Sequence, residues 1–81
     1  MELAYQGSVT RKNYFYKKIG LNLALSSRGF REYVKLNWDD DERAPVAKIN
    51  LSKVPGNEKI SLRKSIGDLC LEHNFMIRVI Q

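Results

Sequence analysis

Three groups of side chains in this sequence have the types and spacing to do chemistry. Cys70 and His73 stand three residues apart and could share a metal ion or act as nucleophile and base. The run Asp39-Asp40-Asp41-Glu42 clusters the hard oxygen ligands that divalent cations take. Arg31, Tyr33 and Lys35 place an aromatic between two cations at every second position, which on a strand puts all three on one face. The first two groups are incomplete. A structural metal site needs about four ligands, and the chain has one cysteine and one histidine. The carboxylate run lacks the alternating ligands and the glycine of a calcium loop. It reads as a solvated loop, with a cation site or a grip on a basic partner surface as the alternatives. No Ser/His/Asp constellation can be assembled, and Gly7, Gly20, Gly29, Gly56 and Gly67 do not fall at phosphate-loop spacings. The expectation is a non-enzyme with no catalytic residue, metal or cofactor.

Charge points elsewhere. The 81 residues carry 14 Lys+Arg against 9 Asp+Glu, a formal net charge of +5. Residues 1–38 hold seven basic and two acidic side chains, and residues 43–81 hold seven and three, so the chain outside the −4 run at 39–42 carries +9. A surface of that sign attracts polyanions by counterion release. The length suits a single domain spanning 1–81. No apolar run approaches the ~20 residues of a membrane span, the first residues do not resemble a secretory signal, and one cysteine excludes an internal disulfide. A cytoplasmic location with no membrane partner is expected.

The elements that must position these residues follow from periodicity. Leu3 and Tyr5 hint at a strand, with a turn at Gln6-Gly7-Ser8. The aromatic run from Tyr14 to Ile19 and the alternation of Leu21, Leu23 and Leu25 read as β-structure, turning at Ser26-Ser27-Arg28-Gly29 as in a hairpin. Phe30 to Trp38 is the clearest strand, with Phe30, Val34, Leu36 and Trp38 inward and Arg31, Tyr33, Lys35 and Asn37 outward. Asp39 to Pro45 is a loop. Val46 to Val54 is a strand with Ala47, Ile49 and Leu51 on one face and Lys48, Asn50 and Ser52 on the other. Pro55-Gly56-Asn57 ends it. Ser61 is expected to cap a helix whose stripe is Leu62, Ile66, Leu69, Cys70 and His73, leaving Arg63 and Lys64 in its first turn. Asn74 closes that helix in a left-handed conformation. Phe75 to Gln81 is a final strand, apolar on both faces. The fold class is α+β: a small antiparallel sheet of about three to five strands packed on one helix from the C-terminal half, followed by a final strand.

Lys53-Val54-Pro55-Gly56, followed by Ile60-Ser61-Leu62-Arg63-Lys64, Ile66 and Leu69, resembles the amino-terminal arm-site-binding domain of tyrosine integrases from conjugative transposons. Gly29-Phe30-Arg31 and Tyr33-Val34-Lys35 resemble its first sheet strands. The resemblance spans Gly29–Leu69, about half the chain. It implies a three-stranded antiparallel sheet backed by a helix, with the sheet face in the DNA major groove. The matching positions here are Arg31, Tyr33, Lys35 and Lys48. The N-terminal extension, the acidic loop, the final strand and the lack of a recombinase domain depart from that pattern.

The expected function is binding of nucleic acid, DNA ahead of RNA, by a protein of phage or mobile-element type. Arg31, Tyr33, Lys35 and Lys48 would form the reading face, with Arg28, Lys53, Arg11 and Lys12 on phosphates. The alternative is a protein-interaction module, such as an anti-nuclease antagonist. It would use Asp39, Asp40, Asp41 and Glu42 as an electrostatic hook and the C-terminal strand to pair with a partner or a second copy.

Overall fold

A computed structural model describes residues 9–80. The strand and turn expected around Leu3, Tyr5 and Gln6–Ser8 lie outside these residues. The order of elements is α1 (Tyr14–Ser27), a 3-10 turn (Arg31–Tyr33), β1 (Val34–Asp39), β2 (Ala44–Asn50), α2 (Gly56–Glu72) and β3 (Met76–Ile80). The strands form one sheet in the order β1-β2-β3, with β1 antiparallel and β3 parallel to β2. The class is therefore α+β with a final strand, as expected. The sheet is mixed because α2 carries the chain back before β3 enters beside β2. Between Gly29 and Leu69 the structure has two strands and a helix, where the integrase-like pattern implies three strands.

The main correction is α1. Residues 14–27 form a helix, not two strands of a hairpin. The turn that leads into it is closed by a reciprocal pair: Thr10 N–H donates to Asn13 Oδ1 (2.6 Å) and Asn13 N–H donates to Thr10 Oγ1 (3.3 Å). Leu21 and Leu25, four apart, are both 0% exposed, while Leu23 between them is 67% exposed. That is helical spacing, because a strand would have buried all three. Tyr14 extends the stripe and meets the edge of Trp38 (5.7 Å) and the ring of Phe75 (6.1 Å). The turn expected at Ser26–Gly29 exists, but as the end of this helix. Gly29 (φ 77) is left-handed, Phe30 N–H donates to Leu25 O (2.9 Å) and Gly29 N–H to Ser26 O (3.1 Å), a Schellman closure.

α2 shows the predicted stripe, with Ile66, Leu69 and Cys70 buried and Leu62 and His73 half-buried. It starts six residues earlier than expected. Pro55 (φ −56) precedes its first turn and accepts from Glu58 N–H (2.9 Å), so Ser61 is an exposed mid-helix residue and not a cap. Gly56 to Ser61 lacks an apolar stripe, which hid this turn from periodicity. Arg63 and Lys64 therefore sit clear of the helix start, and Lys64 pairs with Asp68 (3.3 Å). Asn74 closes α2 as expected, with φ 63 and a Phe75 N–H to Cys70 O bond of 3.0 Å. A β-branched residue resists this conformation. Asn74→Val is expected to lower unfolding free energy by roughly 1–2 kcal/mol and Asn74→Gly to leave it level or slightly raised, as read by urea titration.

Both helices contribute to one core on one face of the sheet, with Leu21, Leu25, Ile66, Leu69 and Cys70 against Val34, Leu36, Ala47, Ile49 and Phe75. Pro45 is tolerated in the central strand because β3 pairs only from Val46 onward, so the ladder loses no donor there. Among the described residues no helix is long and apolar enough to cross a membrane.

Candidate nucleic-acid interface

Strand pairing gathers the basic residues. In the ladder Lys35 lies opposite Lys48, and Lys48 is level with Arg78 on β3. One row of the sheet thus carries a cation on each strand. Like charges directly opposite one another, as Lys35 and Lys48 are, disfavour the folded sheet, whereas Arg78 is paired with Asp39 (3.0 Å).

Beside the row, at the edge of β1 with which no described strand pairs, is a groove of about 720 Å³. Its walls are Lys18 and Asn22 from α1, Arg31, Glu32 and Tyr33 from the 3-10 turn, the edge of β1 at Val34–Leu36, and Lys48, Asn50 and Ile80 from the sheet. Among the described residues Lys18, Arg31, Lys35 and Lys48 face a single carboxylate there, that of Glu32, which is itself engaged by the Tyr33 hydroxyl, a bond that holds the phenol above its usual pKa. A second groove of about 380 Å³ shares Glu32, Tyr33 and Asn50 with the first and adds Ser52 and Lys53. The basic track thereby continues past the end of β2. Asn22 Oδ1, in the wall of the first groove, is buried with no hydrogen-bond partner among the described residues. A donor from a ligand would relieve the cost of that orphaned acceptor.

The predicted residues divide. Arg31, Tyr33, Lys35, Lys48 and Lys53 line this connected track. They do not share one strand face, because β1 begins at Val34 and Arg31 and Tyr33 belong to the 3-10 turn. There the Arg31 guanidinium donates to Val34 O (3.3 Å). Tyr33 is half-buried against the core, not raised as a stacking platform. Arg11 stacks its guanidinium 5.6 Å from the Trp38 ring. Arg11, Lys12 and Arg28 lie outside both grooves. Lys18 and Asn22 on the groove wall were missed, as was Arg78, which shares the row but lines neither groove and pairs with Asp39. The signal for the first two is their i, i+4 spacing, which becomes visible once residues 14–27 are read as helix. Arg78 needed the strand register.

The acidic run sits at the opposite end of the hairpin. Asp39 is not a free hook: its carboxylate accepts from Asp41 N–H (2.9 Å) and Glu42 N–H (3.0 Å) and pairs with Arg78 (3.0 Å), which reaches over the sheet from β3. Val46, fully buried, lies on the diagonal between the two. Asp40, Asp41 and Glu42 are exposed in the turn. At ~3.4 Å per residue the turn starts about 17 Å along the strand from Lys35, beyond a Debye length at physiological salt. The acidic residues therefore do not oppose an anion in the groove.

The Glu42 amide, then Arg78 and last the Asp41 amide, outweigh the opposing effect of burial and hold the Asp39 carboxyl below its usual 3.8. The folded state then binds its proton less readily than the unfolded state. The resulting stability is complete above pH 4 or so and is lost as pH falls through the folded value. Asp39→Asn keeps a backbone acceptor but lacks the charge. Urea unfolding between pH 7 and pH 2 is expected to show a smaller acid-driven loss in this variant than in the parent.

The Cys–His pair offers no comparable site. Cys70 is buried, and burial pushes its thiol up to about 11, so it is held as the unreactive thiol. His73 Nδ1–H donates to Leu69 O (3.0 Å) at the end of α2. Among the described residues no three His, Cys, Asp or Glu side chains converge as a metal site.

Comparison with family models, with curated proteins and with solved structures finds no match to this chain.

Proposed function

We propose that this protein binds nucleic acid non-catalytically, DNA ahead of RNA, through the basic track along β1. The observation that carries the reading is the convergence of Lys18, Arg31, Lys35 and Lys48 from four separate elements on one groove, with Lys35 and Lys48 directly paired across the sheet. Folding alone gains nothing from opposing two lysines, whereas a phosphate backbone neutralises both at once. The integrase-like residues suggest the same role, in a phage or mobile-element setting, but Gly29–Leu69 holds two strands where that pattern implies three. Fluorescence anisotropy against duplex DNA, single-stranded DNA and RNA at several salt concentrations tests it. With four cations each on a phosphate, log affinity should fall with log salt at a slope of roughly −3 to −4. Absence of binding at low salt, or binding indifferent to salt, refutes the reading.

One observation favours a second reading. The two backbone bonds to Asp39 order the turn, so Asp40, Asp41 and Glu42 stand on a fixed tip. A protein partner with a basic surface, of the inhibitor or adaptor kind, would dock there. Retention of a partner from lysate after nuclease digestion, lost on replacing these three residues, would favour it.

A further inference from the structure

We infer that β3 and α2 form the interface of a two-fold dimer of this chain. β3 is the last strand of the sheet, and among the described residues no strand pairs with its outer edge. Between that edge and α2 lies a groove of about 310 Å³, its apolar lining formed by Ile60, Gly67, Leu71, Ile77 and Val79. Ile60 is 73% exposed and Leu71 54% exposed, an arrangement that favours covering.

The surface is self-complementary, which selects a second copy as its occupant. Antiparallel pairing of two β3 edges about a dyad at the central residue, Arg78, sets Ile77 beside Val79 of the second copy. α2 fits the same dyad. A Cβ placed on Gly67 would lie 3.4 Å from Ile77 Cδ1, which fixes the level of strand against helix. Because β2 and β3 are parallel, α2 runs opposite to β3. One strand residue, ~3.3 Å, corresponds to about two helical residues of 1.5 Å, so the dyad at Arg78 meets α2 near Ser65 and Ile66. About that centre Ile60 falls opposite Leu71 of the second copy, and Arg63 opposite Asp68 of the second copy. Apolar meets apolar and cation meets anion, as an isologous interface requires. The like charges that would meet at the dyad are already diverted, since each Arg78 guanidinium turns away from the edge to Asp39 on β1.

The dimer does not depend on nucleic-acid binding, and its test contains none. Sedimentation equilibrium of the full chain, from micromolar to hundreds of micromolar, should give a mass twice that of one chain. Leu71→Lys should weaken association by about tenfold or more. Its fold should be unchanged by circular dichroism because the position is exposed. Adding Ile60→Glu to Leu71→Lys should restore the dimer, since the introduced charges oppose each other across the dyad. A single-chain mass throughout, or a dimer indifferent to Leu71→Lys, overturns the proposal. A double variant that stays monomeric overturns it too, because the antiparallel register sets residue 60 against residue 71.

Discussion

Leu21→Ala and Leu25→Ala are each expected to cost the fold about 2–5 kcal/mol, and Leu23→Ala less than about 0.5 kcal/mol. Leu21 and Leu25 are fully enclosed by the core that both helices share with the sheet, so truncation removes apolar contact and leaves a cavity. Leu23 points to solvent. A chain of this length has on the order of 4–12 kcal/mol of stability in total. One core truncation therefore removes a large share, and the double variant should be unfolded or nearly so at 37 °C. Urea denaturation of the three single variants is the measurement. The experiment also decides between the two secondary structures that residues 21–25 can adopt. A strand would make all three leucines equally costly, and a helix spares the middle one. Comparable losses at all three positions would refute α1.

Lys35→Ala with Lys48→Ala should weaken DNA binding by roughly tenfold to a hundredfold at low salt and flatten the salt dependence by about two in slope. The same change should leave thermal stability level or raise it by a few tenths of a kcal/mol, because it removes two like charges held opposite each other. Affinity falling while stability does not is hard to produce by misfolding. Lys12→Ala and Arg28→Ala supply the contrast. Both residues are exposed but lie off the track, and each should change affinity less than about threefold. An equal loss at all four positions would show that net charge, not the groove, does the binding. Lys18→Ala is the further check on geometry, since only the helical form of residues 14–27 brings that lysine to the groove wall.

Legibility followed how local each determinant was. The α2 stripe, the left-handed Asn74, the strand around Val34–Trp38 and the final strand were all readable, because each is set by neighbours within a turn or a few alternating residues. The segment from Tyr14 to Leu25 was misread for a specific reason. Phe15, Ile19 and Leu23 are apolar yet exposed. They surround the helix with hydrophobic residues and erase its 3.6-residue period, while the alternate leucines supply a false period of two. Thr10, three residues before Asn13, was the available correction, as one half of the reciprocal pair that closes the turn leading into the helix. Tyr33 was misplaced because alternation cannot show where a strand begins, and the 3-10 turn ends only at that residue.

By itself the sequence determined a small basic α+β chain, its candidate cations, the acidic turn and the closing of its second helix. These depend on composition and on contacts between near neighbours. The tertiary structure alone decided which cations act together. It set Lys35 against Lys48, brought Lys18 and Arg31 to the same groove, and tied Asp39 to Arg78 from the far strand. It also chose helix over strand for residues 14–27. The cause is the same throughout: strand register and helix packing are fixed by burying Leu21, Leu25, Ile49, Ile66 and Phe75 against one another. These residues are distant in sequence, so their mutual fit cannot be read from the pattern of any one segment.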